Sequence, residues 1–178
     1  MKKQEKLDLI RSAIAEKRLC RFDFTYDENY FYYYPLAVTE KFMLGQEEDD
    51  FILDGWSIRK ISQIKKVEYR ADACDEINRL LGRKEQIERP DVDMTGWRSI
   101  FESLKAMDRF VIVENELEGQ FAIGVIQAVL KSQIYFRRFD ADGVWEEEEL
   151  VIPYSKTTSV SWGTRYADIW ERYLRNQL

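Results

Sequence analysis

The stretch VEYRADACDEINRLL, Val67 to Leu81, is answered later in the chain by VSWGTRYADIWERYL, Val160 to Leu174. Laid side by side without a gap, they share Val67/Val160, Asp75/Asp168, Arg79/Arg172 and Leu81/Leu174. They differ in apolar or polar class only at Ala71/Thr164 and Glu76/Ile169. A chain that writes one amphipathic segment twice is expected to fold as two like halves. A length of 178 residues suits this, because halves of roughly 80 to 90 residues bury proportionally less surface and readily share an interface with a neighbour.

In the repeated segment the apolar residues fall at helical spacing: Ala73, Cys74, Ile77, Leu80 and Leu81, matched by Tyr166, Ala167, Trp170, Tyr173 and Leu174. Side chains three and four apart share a helix face, so the pattern predicts a closing helix with one buried stripe, made twice. Asp75 and Arg79, like Asp168 and Arg172, stand four apart and are expected to pair on the exposed face, worth roughly 0.3–0.5 kcal/mol.

Ahead of these segments the two halves run in parallel. EKLDLIRSAIAEKRL puts Leu7, Ile10 and Ile14 on one helical face, followed by Arg18 or Leu19, and GWRSIFESLKAM does so with Trp97, Ile100, Phe101, Leu104 and Met107. RFDFTYDENYFYYYPLAV and RFVIVENELEGQFAIGVIQAV each read as an apolar run, a polar turn and a second apolar run, the mark of a hairpin. KFMLG and SQIYFRRFD supply third strands, and EEDDFILDG and DADGVWEEEELVI contain fourth strands. SIRKISQIKKVEY matches VIPYSKTTSVSW through Ile58/Val151, Ile61/Tyr154, Ser62/Ser155 and Val67/Val160, which gives a short turn and a fifth strand. Between the halves, GRKEQIERPDVDMT with Gly82, Pro90 and Asp93 places the boundary near 84–93, and the repeats over 1–86 and 93–178. The expectation is a mainly β, α+β fold of two tandem duplicated five-stranded small barrels, each flanked by an N-terminal and a C-terminal helix. A meander of that length buries both faces most economically by bending shut.

This layout resembles the Sm-like and Src-homology-type small barrels, which open with a helix and end with a short turn and strand. DGWSIRKISQIKKV is similar to the closing segment of Sm-like domains, with Ile58 and Arg59 at the place of their Ile-Arg pair and Lys60 where those domains carry glycine. Through YYPLAV, then KFMLG where that family has Trp-Tyr-Leu, then SIRKISQIKKV, the first half also resembles the WYL regulatory domain of bacterial transcription factors. Of that triplet it keeps only Leu44. The first resemblance implies RNA or single-strand nucleic-acid binding, the second a small-ligand sensor, and both imply binding rather than chemistry.

Histidine is absent from the chain, which removes the commonest general base and metal ligand and any Ser-His-Asp or Cys-His arrangement. Cys20 and Cys74 belong to no paired motif and read as buried free thiols. Gly119, Gly124 and Gly143 are isolated, so no phosphate-cradling loop is expected. GQEEDD and WEEEEL lack the alternating spacing of a calcium loop and are expected to be solvated turns. No enzymatic activity, cofactor or metal is therefore expected. The net charge of −6 opposes general attraction to nucleic acid or anionic lipid and favours a protein or small-molecule partner. MKKQEKLDLIRSAIAEKRL interrupts its apolar residues with charges, and no run approaches the roughly 20 apolar residues of a membrane span, so the expected location is the cytoplasm.

Two groups are candidates for binding. In NYFYYYPLAV, if Tyr30, Tyr32, Tyr34 and Leu36 share the inward parity with Val38, then Phe31 and Tyr33 point outward. With Arg59 on a neighbouring strand end they form the expected partner face, and docking of helices or of the second barrel onto the rings is the competing expectation. In YFRRFD, Arg137 and Arg138 sit among aromatics on opposite strand faces and join Arg59 as the contact set if nucleic acid is the partner. The sequence thus points to a non-catalytic tandem small-barrel binding or adaptor protein. Sm-like nucleic-acid binding and WYL-like ligand sensing are the alternatives.

Overall fold

Leu7, Ile10 and Ala13 lie on one face of the first helix, α1 (Lys3–Glu16), and are fully buried in the computed structural model, which describes residues 1–26, 30–70 and 72–176. The turn of the first hairpin, at 27–29, lies outside the described residues. The fold is mainly β, with antiparallel strands and, among the described residues, four α-helices, and the chain divides into two compact units, Met1–Pro90 and Asp91–Leu178. In the first unit α1 is followed by β1 (Cys20–Phe24), β2 (Tyr30–Val38), β3 (Phe42–Asp49), β4 (Ile52–Lys60), a 3-10 turn (Ile61–Gln63), β5 (Ile64–Tyr69) and α2 (Ala73–Leu80). In the second come α3 (Trp97–Ala106), β6 (Val111–Asn115), β7 (Gln120–Val129), β8 (Gln133–Arg138), β9 (Leu150–Pro153), β10 (Ser159–Trp162) and α4 (Arg165–Leu174).

The strands of the first unit are ordered β5-β1-β2-β3-β4 and those of the second β10-β6-β7-β8-β9. Their registers agree pair by pair. Cys20↔Tyr33 and Phe22↔Phe31 in β1/β2 answer Val111↔Gly124 and Val113↔Ala122 in β6/β7. Phe22↔Val67 and Cys20↔Tyr69 answer Val113↔Val160 and Val111↔Trp162. Met43↔Arg59 answers Ile134↔Ile152. Even the irregularities agree: β2/β3 slips by one residue between Pro35 and Ala37, and β7/β8 between Ile126 and Ala128.

That bulge corrects the expected orientation of the tyrosine-rich strand. An inserted residue reverses which side chains face the core beyond it, so Phe31 and Tyr33 join Val38 in one cluster, while Tyr34 and Leu36 are buried as expected. Tyr33 is fully buried and Phe31 packs against the same cluster, among Phe22, Phe24, Met43, Ile61 and Ile64. Tyr30 is the exposed ring. Gly45 makes room for Tyr33, since a Cβ there would stand 3.0 Å from the Cβ of Tyr33 and 3.1 Å from its ring. At the matching positions the second unit reverses the sizes, with Gly124 diagonal to a fully buried Phe136, whose direct partner is Ile126. A Cβ at Gly124 would collide with the Arg137 carbonyl.

The closing helices are also rotated from expectation. Their inward position is polar: Asn78 in α2 is fully buried, and Glu171 in α4 accepts hydrogen bonds from the Arg109 guanidinium (3.0 Å) and the Phe110 amide (3.1 Å). These buried polar groups need partners, and satisfying them turns part of the expected apolar stripe outward. Ile77 is 37%, Leu80 69% and Leu81 49% exposed. In α4, Ala167, Trp170 and Leu174 do join a core with Phe110, Ile112, Ile123 and Phe139, whereas Tyr166 and Tyr173 are exposed. The expected i,i+4 ion pairs give way to others: Arg79 pairs with Glu76, Asp75 with Lys84 and Asp168 with Arg109. Trp170→Ala is expected to cost about 2–4 kcal/mol, because its ring contacts Phe139 at 5.0 Å between centroids, while Ile77→Ala should cost under about 1 kcal/mol. Denaturant midpoints of the two variants check this, and equal losses would mean that α2 is buried through the Ile77 face.

Candidate binding site

Where the second and third strands part, each unit opens a cleft. Pairing of β2 with β3 begins at Tyr33↔Glu47, and pairing of β7 with β8 at the matching Gly124↔Arg138. Beyond these pairs β2 continues along β1, while β3 continues along β4 through Glu48↔Leu53 and Asp49↔Ile52. The first cleft has a volume of about 420 Å³, with Tyr30, Phe31 and Tyr32 along one wall and Glu47 to Phe51 along the other. The second has a volume of about 480 Å³ and includes Phe121, Ala122, Arg138, Leu150 and Lys156.

A buried polar network stands behind the first cleft. The Arg59 guanidinium is buried and donates to the hydroxyls of Tyr26 and Tyr33, both at 3.1 Å. It lies 5.1 Å from the ring centre of Phe24 and 5.3 Å from that of Phe31, a cation–π enclosure. The Tyr33 hydroxyl reaches Glu47 at a long 3.4 Å. Glu48 is buried too and accepts from Arg70 (3.3 Å), from Asn78 (3.2 Å) and from the Phe51 amide (2.8 Å). Arg70 also bonds Asp72 and stacks 3.7 Å over the Tyr32 ring. The run GQEEDD is therefore no solvated turn: Gln46 and Glu48 face inward, and Gln46 accepts from the Glu88 amide.

Burial pushes Glu47 up to about 7, with the charges of Asp54 and Asp49 adding to it, against the lowering pull of Arg59 and of the Tyr33 hydrogen bond. Burial likewise raises the Tyr33 and Tyr34 hydroxyls and pushes the Cys20 thiol up to about 12, which leaves Cys20 no nucleophilic character near neutrality. Cys74 is only part-buried, a correction to the expected pair of buried thiols, and takes a hydrogen bond from Arg70. Among the described residues no group of three or more Cys, Asp or Glu side chains is placed to hold a metal ion, and no helix is long and apolar enough to cross a membrane.

Phe31, Tyr33 and Arg59 are thus brought together, but inside the first unit rather than on an outward face; only Phe31 lines the cleft. Arg137 and Arg138 belong to the second unit. Arg137 is exposed beside the Trp145 ring (4.8 Å), and Arg138 lines the second cleft while paired with Glu146 at 2.7 Å. Glu47, Phe51 and Arg70 are additional to the sequence-derived candidates. The one signal that could have found them is the interleaving of EEDD with tyrosines across a hairpin. No family model, curated protein or solved structure matches the chain.

Folded Glu47 keeps its proton to about 7, whereas an unfolded glutamate releases it near about 4.3. Between those values the folded state binds more protons, so stability falls as pH rises through this window and levels off above it. Glu47→Gln should flatten this part of the curve. The check is the change in melting temperature from pH 4.5 to pH 8, larger in the parent than in the variant; identical changes would mean that Glu47 ionises without penalty.

Proposed function

We propose that the chain is a non-catalytic binding or adaptor protein built from two tandem copies of a five-stranded small barrel, over 1–86 and 93–178. The observation that carries the duplication is the shared register, including the bulge at the same place in β2/β3 and β7/β8. Independent sequences have no reason to insert one residue at the same step of the same strand pair. The helix before the first strand and the 3-10 turn before the fifth suit the Sm-like kind of barrel. Binding is the function that two open clefts of about 420 and 480 Å³ support, since ligand sites favour concave places with a few convergent polar groups. The absence of histidine from the sequence and the high thiol pKa of Cys20 favour a non-catalytic role.

A protein partner fits better than nucleic acid. Arg59 is enclosed by aromatic rings, Arg138 is neutralised by Glu146, and the first cleft carries four carboxylates, so there is little free positive charge to meet phosphates. The test places a photo-crosslinking phenylalanine analogue at Tyr30, at Phe121 or, as a control outside both clefts, at Val144, all three exposed, in the full-length chain in cells. A discrete adduct at Tyr30 or Phe121, absent at Val144 and competed by unlabelled protein, is the expected result. Equal labelling at all three positions would contradict a cleft-directed binding role.

A further inference from the structure

The two clefts occupy matching places but differ in chemistry. In the second, the cations are paired within the unit: Lys156 with Glu118 and Arg138 with Glu146. In the first, Glu47, Glu48, Asp49 and Asp50 line the cleft together with Arg70, which is engaged by Glu48 and Asp72. The matching position of Glu47 is Arg138, so the fold itself does not require an acid there. Glu47 is also poorly satisfied. It is half-buried, yet among the described residues it makes no ion pair, and its one hydrogen bond is the 3.4 Å contact with Tyr33. The cation acting on it is Arg59, which is shared with the Tyr26 and Tyr33 hydroxyls, so a second cation in the cleft would stabilise the carboxylate further. The remaining walls are aromatic: Tyr30, Phe31, Tyr32 and Phe51. Two of these rings already receive guanidinium groups from within the chain, Tyr30 from Arg21 at 4.0 Å and Tyr32 from Arg70 at 3.7 Å.

We propose that the cleft between β2 and β3 is a receptor for the cationic side chain of a basic polypeptide segment, a lysine or arginine whose stem lies along the aromatic wall and whose charge meets Glu47 and Asp50. This rests on the reading of the chain as a binding protein. The volume of about 420 Å³ accommodates a long aliphatic stem with its charged head. Asp50 stands exposed at the turn between β3 and β4 (φ 47°), next to Phe51 (φ 66°), while Glu47 is half-buried. The charged groups acting on Glu47 are Arg59 and Asp54 from β4, Asp49 from β3 and the hydroxyl of Tyr33 from β2. A bound cation favours the ionised carboxylate over the protonated one, so occupancy and deprotonation of Glu47 are linked.

The test titrates the full-length protein with a tetralysine peptide by calorimetry at low ionic strength, alongside the same peptide acetylated on every side-chain amine. Tetralysine should bind one to one and the acetylated peptide should not. Affinity should rise about tenfold from pH 6 to pH 8, as the fraction of competent, ionised Glu47 grows. Glu47→Gln should weaken binding by at least about tenfold and remove the pH dependence, while Glu147→Gln in the other acidic run should change neither. Asp50→Asn, at the exposed tip where asparagine tolerates the backbone, gives an independent loss should Glu47→Gln disturb folding. Absence of tetralysine binding, equal binding of the acetylated peptide, or full affinity in both folded variants would overturn the proposal. If a partner crosslinks at Tyr30 while tetralysine does not bind, the cationic assignment fails and the binding reading stands.

Discussion

Packing across the Tyr33–Gly45 diagonal is the constraint on which the first unit depends. The Tyr33 ring contacts Phe22 edge-on at 5.7 Å and Phe31 at 6.4 Å, and its hydroxyl bonds Arg59 inside the core. Arg59 can be buried because that hydroxyl, the Tyr26 hydroxyl and the faces of Phe24 and Phe31 replace water around it. Glu47 is in turn held in the cleft by the same hydroxyl. One ring therefore fills the core, seats a buried cation and positions the carboxylate that gives the cleft its character. In the second unit the large ring comes from the third strand, as Phe136, and the second strand has Gly124. No hydroxyl, buried arginine or glutamate accompanies it at these positions, and there the cleft carries Arg138 instead.

The clefts themselves follow from strand geometry. A third strand that pairs with its predecessor only up to Glu47 or Arg138 leaves a wedge wherever the two then follow different neighbours. In the first unit β3 goes on along β4 past this point, and in the second a cleft with other side chains stands at the matching end of β7 and β8. The two units thus share one register and carry opposite residues, Glu47 and Arg138, at one cleft position.

Much of the architecture was legible in the sequence because it rests on spacing. The gapless match of Val67 to Val160, with Ile58 to Val151, gives the fourth and fifth strands the same offset, and the structure pairs them accordingly. The bulge was not legible. Leu36 and Gln127 have nothing in common that marks an inserted residue, so alternation through YFYYYPLAV placed Tyr33 on the wrong face. Nor were the buried polar groups. Asn78, Glu48 and Glu171 look like surface residues on helix and hairpin until their partners Arg70 and Arg109, distant in sequence, are brought to them. Phe31, Tyr33 and Arg59 gather although Arg59 lies on β4, which pairs with β3 rather than with the first hairpin, and it reaches Tyr33 through a buried hydrogen bond. Whether they gathered inside or outside depended on that single inserted residue.

The central claim is that both units are one design in which a single large ring, supplied by either strand, fills the space between the second and third strands. A double-mutant cycle on folding free energy tests it most directly. Tyr33→Gly should empty the space, and Gly45→Phe should overfill it by driving a new ring against Tyr33, each destabilising by roughly 3 kcal/mol or more. The combined Tyr33→Gly, Gly45→Phe chain, which gives the first unit the arrangement of the second, should be more stable than either single variant, with a coupling energy of about 2 kcal/mol or more. Additive losses in the combined variant would contradict the claim and leave the shared register as a likeness of backbone alone.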